Sequence, residues 1–366
     1  MAPISFRQSA GVVQLSDFSD GILDASLNPF YIENNGANRS YFPYQEQGSI
    51  SLRQMVEAWR WPSSYSQMSE YPDDADDPNW SDEAQGMATS ESGQWIFTSN
   101  DSLNHPRIWR VPFTSDLDNT VTPDPDVNYA GLSSSYRIGD YNHLGACSVY
   151  QNIVYVPVEY DVPENRVVRF SVTSSSINFL DGAYVAENQG NKTGASCAAI
   201  NPKNETLLVS RFDTTNIMPT HKIQIYSIDS PMGVNASWPF LEDFSLFDSD
   251  GSAIEFHRIQ GSCISPAGHL YLVIDLEGAL GGGFYGFDLI TGRLVRYHRI
   301  NFSTGEVGDG GFFELEDIVI KDFGGEPHHS TLHGEVHVLG LNNDFFDSDN
   351  ITIFHFSVPV GERKWI

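Results

Sequence analysis

The sequence predicts a single all-β propeller of four-stranded antiparallel blades, and three observations carry that expectation. Short β-branched and aromatic runs come in fours, turn residues separate them, and the whole set recurs along the chain. The clearest set spans Ile259 to Ile300, with runs at Ile259–Ile264, His269–Asp275, Phe284–Leu289 and Arg293–Ile300. Pro266-Ala267-Gly268, Gly281-Gly282-Gly283 and Thr291-Gly292 break these runs where tight turns need residues that accept unusual backbone angles. One such meander leaves two strand edges unpaired, so its presence implies copies arranged around an axis.

The copies are present. The first strand recurs at Gln85–Ser90, His143–Ser148, Gly194–Ala198 and, more loosely, Glu314–Ile318. The second recurs at Gln94–Ser99, Asn152–Pro157, Glu205–Ser210 and Gly334–Leu339, and the third at Arg107–Val111, Arg166–Val172, Lys222–Ile228 and Ile351–Val358. A period of roughly 50 to 65 residues with this internal order points to a propeller rather than a solenoid. Five blades are recognised over residues 85–358, and a sixth is open if strands before residue 85 form one.

Residues 1–84 lack the repeat and are expected to act as a closing strand and extension of one domain covering residues 1–366. Gly11–Leu15 reads as a strand that supplies the outer edge of the last blade, which would close the ring. Asn28–Ile32 and Arg39–Tyr44 are further strand candidates, and Ser51–Trp59 alone carries a helix start with apolar spacing of three and four. Asp73–Glu83 holds six acidic residues among eleven and reads as a solvated linker.

The chain carries a formal net charge of -28, with no cluster of Lys or Arg, which excludes nucleic acid and anionic membrane surfaces as natural partners. No apolar run reaches the roughly 18 residues that a membrane-spanning helix requires. Met1–Phe6 lacks the charged and apolar regions of a signal peptide. Yet Asn-x-Ser/Thr sequons stand at Asn38, Asn79, Asn100, Asn191, Asn204, Asn235, Asn301 and Asn350. Their number implies a secreted or secretory-lumen protein, processed at its N-terminus and bearing N-glycans. The cysteines are Cys147, Cys197 and Cys263, and all fall at one place in the first strands of successive blades. That is a packing position, where Cys serves as a small buried hydrophobe rather than as half of a cystine.

In a propeller, the starts of the inner strands and the loops after the second strands converge on the mouth of the central channel. This places Gln85, His143, Gln260 and Glu316 with Asp317 at strand starts. Asn100, Glu159 with Tyr160, Arg211, Asp275 with Glu277, and Asn342 fall at the second-strand ends. Such a mixed polar ring suits a small ligand with a polar head. Arg211, His143 and Gln260 are the candidate catalytic donors, and Gln85, Tyr160, Asp275 and Glu316 the candidate substrate contacts. Other patterns fail on spacing. Asp248–Gly251 does not fit a calcium loop and reads as a turn. His328-His329 with His333 lies in a turn-rich segment without a helix to align imidazoles. No nucleophile elbow and no His-Glu-x-x-His are present.

Gln260–Leu272 together with Gly286–Leu294 resembles the secreted propellers of the gluconolactonase and senescence-marker type. That resemblance implies a divalent cation on the channel held by Glu, Asn and Asp, for which Glu316 and Asp275 are the matching positions and no Asn is. In its size, sequons and lack of hydrolytic motifs, the chain is also similar to glycosylated fungal propellers, the hetero-Diels–Alderases of tropolonic sesquiterpene pathways. This second resemblance implies a cofactor-free and metal-free pericyclase that joins a quinone methide to a terpene alkene. A metal-dependent lactonase-like hydrolase and a non-catalytic sugar- or ligand-binding propeller are the alternatives.

Overall fold

The computed structural model describes residues 83–100, 106–112, 128–137, 142–160, 165–185, 194–212, 222–229, most of 233–300, 312–322, 332–343 and 350–359. It also describes Trp80 and short strands before residue 72. Five antiparallel sheets of the propeller type are built in chain order from an inner strand outward. The first blade is Ala84–Thr89, Gln94–Ser99, Arg107–Pro112 and Asn128–Gly131. The second has an interrupted inner strand, Asn142–Leu144 and Ser148–Tyr150, then Ile153–Tyr160, Arg166–Val172 and Ile177–Tyr184. The third is Gly194–Asn201, Thr206–Phe212, Lys222–Ser227 and Phe240–Ser245. The fourth is Ile259–Ile264, His269–Ile274, Gly283–Asp288 and Leu294–Arg299.

The fifth blade takes Phe312–Asp322, Leu332–Asn343 and Asn350–Pro359 from the end of the chain and its outer strand, Gln67–Tyr71, from the beginning. Ring closure by an N-terminal strand therefore holds, but the strand is a different one. Gly11–Gln14 pairs instead with Ser5–Gln8, in a separate sheet with Phe30–Asn34 and Ala37–Arg39. No sixth blade enters the ring, because the inner strands of the first and fifth blades bond directly through Met87 and Asp317. The Ser51–Trp59 helix lies outside the described residues, as does most of the acidic linker. Trp80 within that linker is fully buried and packs on Phe97 at 4.7 Å between ring centroids.

Between each pair of neighbouring blades lies its own apolar core. Tyr271, Phe284 and Cys263 of the fourth blade meet Ile318, Val336 and Phe354 of the fifth, and Trp80, Phe97 and Trp109 meet Leu339 and Ile351 across the ring closure. Both faces of a middle strand are thus buried, which is why His269–Ile274 is an unbroken apolar run after its first residue. The inner hairpins turn on residues in the left-handed region, Gly93 and Gly268 in two blades, Asn152 and Glu205 in two others.

Towards the axis the inner strands come too close for side chains. A Cβ on Gly145 would stand 2.2 Å from the carbonyl oxygen of Ser196, and one on Gly261 would stand 2.4 Å from Cα of Asp317. All five junctions are bonded at this level. Thr98 Oγ1 donates to Gly145 O at 3.1 Å, Ala146 N to Ser196 O at 2.9 Å, and Ser196 Oγ to Ile259 O. Asp317 completes the ring by lying against Gly261 and accepting from Met87 N at 2.8 Å. Its carboxylate also accepts from Cys147 N at 3.2 Å and from the backbone of Ser262 and Ile318, so it ties four inner strands together. Cys147, Cys197 and Cys263 are free thiols buried around it, in the packing role expected of them. Burial, with the Asp317 charge adding to it, pushes the Cys147 and Cys263 thiols well up, and burial lifts Cys197 to about 11.

Replacing Asp317 by Ala strips an acceptor from N–H groups in four strands, at about 1–3 kcal/mol for each donor left unmet. The urea midpoint is expected to fall sharply, and an unchanged midpoint would remove Asp317 from its role. Burial raises the Asp317 carboxyl well above its usual 3.8. The folded chain then holds this proton more tightly than the unfolded chain, so the stability linked to it is complete below pH 3.8 and is lost as pH rises through the folded value. Between acid and neutral pH the Asp317→Ala variant is expected to lack that falling component.

Candidate functional site

Inner strands start on the face where second strands end, as the pairs Ala84 with Ser99, Asn142 with Tyr160, Gly194 with Phe212 and Ile259 with Ile274 show. Just above the glycine and Asp317 level, four of the five ladders carry a bulge. Register shifts fall between Ala84 and Gly86, Ala195 and Ala198, Ile259 and Gly261, and Leu315 and Asp317. In the second blade the inner strand breaks off between Leu144 and Ser148. The extra residue of a bulge is released from the ladder, so its side chain is free for another task.

Gln85, Gln260 and Glu316 are the bulge residues of the first, fourth and fifth blades, and these blades are neighbours in the ring. In the third blade the residues released by the shift are Ser196 and Cys197, and in the second the inner strand is interrupted after Leu144. The mouth therefore has one side set with two carboxamides and a carboxyl, with Glu316 1% and Gln260 8% exposed. His143 stands one residue further out in the second blade, opposite Glu159 and half-buried. Desolvation holds its imidazole down at about 4, so it is neutral at physiological pH. Arg211 pairs with Ala195 and Tyr160 with Asn142, which puts both backbones in this strand-start layer. Their side chains lie outside the described residues, as does all of Asp275.

Asn100 belongs elsewhere. Its Nδ2 donates to Leu144 O at 2.8 Å and its Oδ1 accepts from Leu144 N at 2.7 Å, which clamps the first blade to the second. Buried and bonded at both ends, it has no room for the glycan its sequon suggests. Asn204 and Asn235 stand exposed in turns, and Thr206 Oγ1 of the Asn204 sequon donates to Asn204 Oδ1 at 2.8 Å. Asn79, Asn191 and Asn301 lie outside the described residues, and Asn38 and Asn350 are described in backbone only. Asp248 forms the expected turn, its Oδ1 accepting from the backbone of Asp250, Gly251 and Ser252 at 3.2, 2.9 and 2.8 Å.

Among the described residues no three His, Cys, Asp or Glu side chains converge as metal ligands. Of the cation set implied by the gluconolactonase likeness, Glu316 is placed and Asp275 lies outside the described residues. Sequence reasoning named Asp317 only as a companion of Glu316. Its place where other inner strands carry glycine, as at Gly86, Gly145 and Gly261, was the signal that it serves the axis instead.

No family model matches the chain, and no curated protein matches it in sequence. Solved structures do resemble it at 10–15% identity. An exo-β-1,3-galactanase from Phanerochaete chrysosporium with galactose shares 11% identity over 80% of this chain and 66% of its own, with a TM-score of 0.43. A PQQ-bound aldose sugar dehydrogenase from Streptomyces coelicolor shares 11% over 79% of this chain and 99% of its own, with a TM-score of 0.36. The Cps50 (Swd1) propeller domain of Myceliophteria thermophila shares 10% over 71% and 66%, with a TM-score of 0.34. The chain spans 66% of that domain and 57% of the hydrazine synthase of Kuenenia stuttgartiensis that it also resembles. These likenesses concern architecture and transfer no chemistry.

Two measurements check this site. The His143 imidazole resonances are expected to titrate near pH 4; titration at 6.5 would show that the mouth is wet and open. Because the folded value is depressed, the stability tied to His143 is complete above pH 6.5 and is lost as pH falls towards 4. Peptide mapping after expression in a eukaryotic secretory host is expected to find glycan on Asn204 and Asn235 and none on Asn100. Occupied Asn100 in the folded protein would overturn the clamp.

Proposed function

We propose that this propeller binds a small molecule at the inner-strand mouth and acts on it without metal or cofactor, as a pericyclase of the hetero-Diels–Alderase kind. The observation that carries the reading is the set of neutral donors, the carboxamides of Gln85 and Gln260 and the uncharged imidazole of His143, in one strand-start layer. A hydrolase needs a nucleophile with a base, and an imidazole held neutral down to about pH 4 is a poor base. A cycloaddition needs two apolar partners held in a reactive pose and a donor on the oxygen where negative charge gathers. Carboxamides and a neutral imidazole meet that demand without themselves reacting.

Arg211 enters the proposal through its backbone register alone, as the fixed-charge donor of the same layer. We also place the protein in the secretory pathway, a reading supported by the exposed sequons at Asn204 and Asn235. Fungal origin follows from the resemblance only.

The test is turnover of a quinone methide with a terpene alkene by the intact chain and by Arg211→Ala, His143→Ala and Gln260→Ala. Losing one well-placed donor raises a barrier by about 2.7–4 kcal/mol, or roughly a hundred- to a thousand-fold in rate. At least one variant is expected to show that loss with its melting midpoint kept. Retention of full turnover by all three removes the active site from this mouth. Binding without any turnover by the wild type would favour a ligand-binding propeller, and chelator-sensitive lactone hydrolysis would favour the metal-dependent hydrolase.

A further inference from the structure

Arg166 opens the third strand of the second blade, with Val158 and Tyr184 as its ladder partners, on the same face as the mouth. It is 3% exposed. Its guanidinium carbon lies 4.1 Å from the ring centroid of Tyr184 and 5.2 Å from that of Tyr136, so two aromatic faces flank the cation. Nη2 donates to the Tyr184 hydroxyl. Nε and Nη1 are closed to solvent and have no hydrogen-bond partner among the described residues.

The same fold contains its own control. Arg110 is also 3% exposed, and the same two nitrogens of its guanidinium, Nε and Nη1, both find acceptors. There Nε donates to Asn128 Oδ1 at 3.1 Å, and Nη1 donates to Gln94 Oε1 at 2.7 Å and to Ser174 O at 2.9 Å. Arg169, three residues along the same strand and on its other face, is neutralised by Asp181 through a two-pronged pair at 2.6 and 2.7 Å. Asp181 is thereby committed, and no other carboxylate among the described residues pairs with Arg166. Arg110 and Arg169 thus meet acceptors at Nε and at one terminal nitrogen, whereas Arg166 is buried with Nε and Nη1 unmet. Each such donor carries a penalty of about 1–3 kcal/mol, more for a charged group, that an incoming oxyanion relieves.

We propose that Arg166, flanked by Tyr136 and Tyr184, is a binding site for the carboxylate of a small molecule. A planar carboxylate accepts from guanidinium N–H groups in short charge-assisted bonds, and the two rings shield the pair from water. The site is independent of the pericyclase reading, since it uses none of Gln85, His143, Gln260 and Arg211. As both free donors are closed to solvent in the ligand-free chain, binding requires the surrounding side chains to part and is slow.

The test uses the full-length protein with sodium benzoate and sodium acetate as probes, at constant ionic strength against chloride. Wild type is expected to gain a saturable rise in melting midpoint with benzoate, and its Arg166 Nε–H resonance is expected to shift in slow exchange. Arg166→Met, which keeps the volume and removes the donors, is expected to weaken benzoate at least ten-fold. Arg166→Lys, which keeps the charge without the planar fork, serves where the Met variant does not fold, and a loss of similar size is expected. Equal effects of benzoate and chloride, an unmoved Nε–H signal, or undiminished benzoate binding by the variant that folds would each show that solvent alone meets these donors. That result would overturn the site and leave the mouth reading untouched.

Discussion

One carboxylate holds the centre of the ring. Propeller blades adhere through apolar cores between neighbours, but such cores are non-directional and do not fix how far each inner strand advances towards the axis. Asp317 supplies the direction. It accepts from Met87 N and Cys147 N, and from the backbone of Ser262 and Ile318, so four inner strands are positioned by one group. Gly261 follows as a consequence, because any side chain there would strike Asp317, and Gly145 follows from the equally close approach to Ser196. The three cysteines complete the set as side chains small enough for what space remains.

The mouth inherits its geometry from this closure. Strands drawn so near the axis relieve their crowding by bulging, and the bulge recurs in the first, third, fourth and fifth blades just outside the tight layer. Each bulge releases one side chain from the ladder, and Gln85, Gln260 and Glu316 are three of them. Which side chain stands at this level is thus a matter of which residue each repeat places at one structural position. Loop variation is not needed to explain it.

Much of this was legible because propeller blades repeat. The alignment of Cys147, Cys197 and Cys263 fixed the register of three inner strands, and the blade boundaries followed from it. The closing strand was not legible for a physical reason. Gln67–Tyr71 lies at the outer edge, where pairing of Met68 with Phe354 and Tyr71 with Ile351 decides its place and little apolar pattern is required. Gly11–Gln14, with two adjacent valines, offered the stronger pattern and a different partner. Asn100 misled in another way, since a residue that invites a glycan on the surface is equally suited to clamp a neighbouring strand when buried. Arg166 carried no signal, because a basic residue at the start of a third strand also occurs at Arg107 and Lys222.

Closure of the axis also sets the electrical character of the site. Desolvation raises the Asp317 carboxyl and the three thiols and lowers the His143 imidazole, so every one of these groups is pushed towards its neutral form. Burial at the axis thus works against charge there, in a chain whose net charge is -28. The two kinds of group pull stability in opposite directions with pH, Asp317 favouring the fold in acid and His143 away from it, which moderates the net dependence between about 4 and 6.5. In such surroundings proton transfer is a poor route to rate, and fixed dipoles are a good one, since a carboxamide aimed at a developing charge acts most strongly where water is excluded. In the function proposed above, the closed hub thus favours polarisation and positioning over proton transfer.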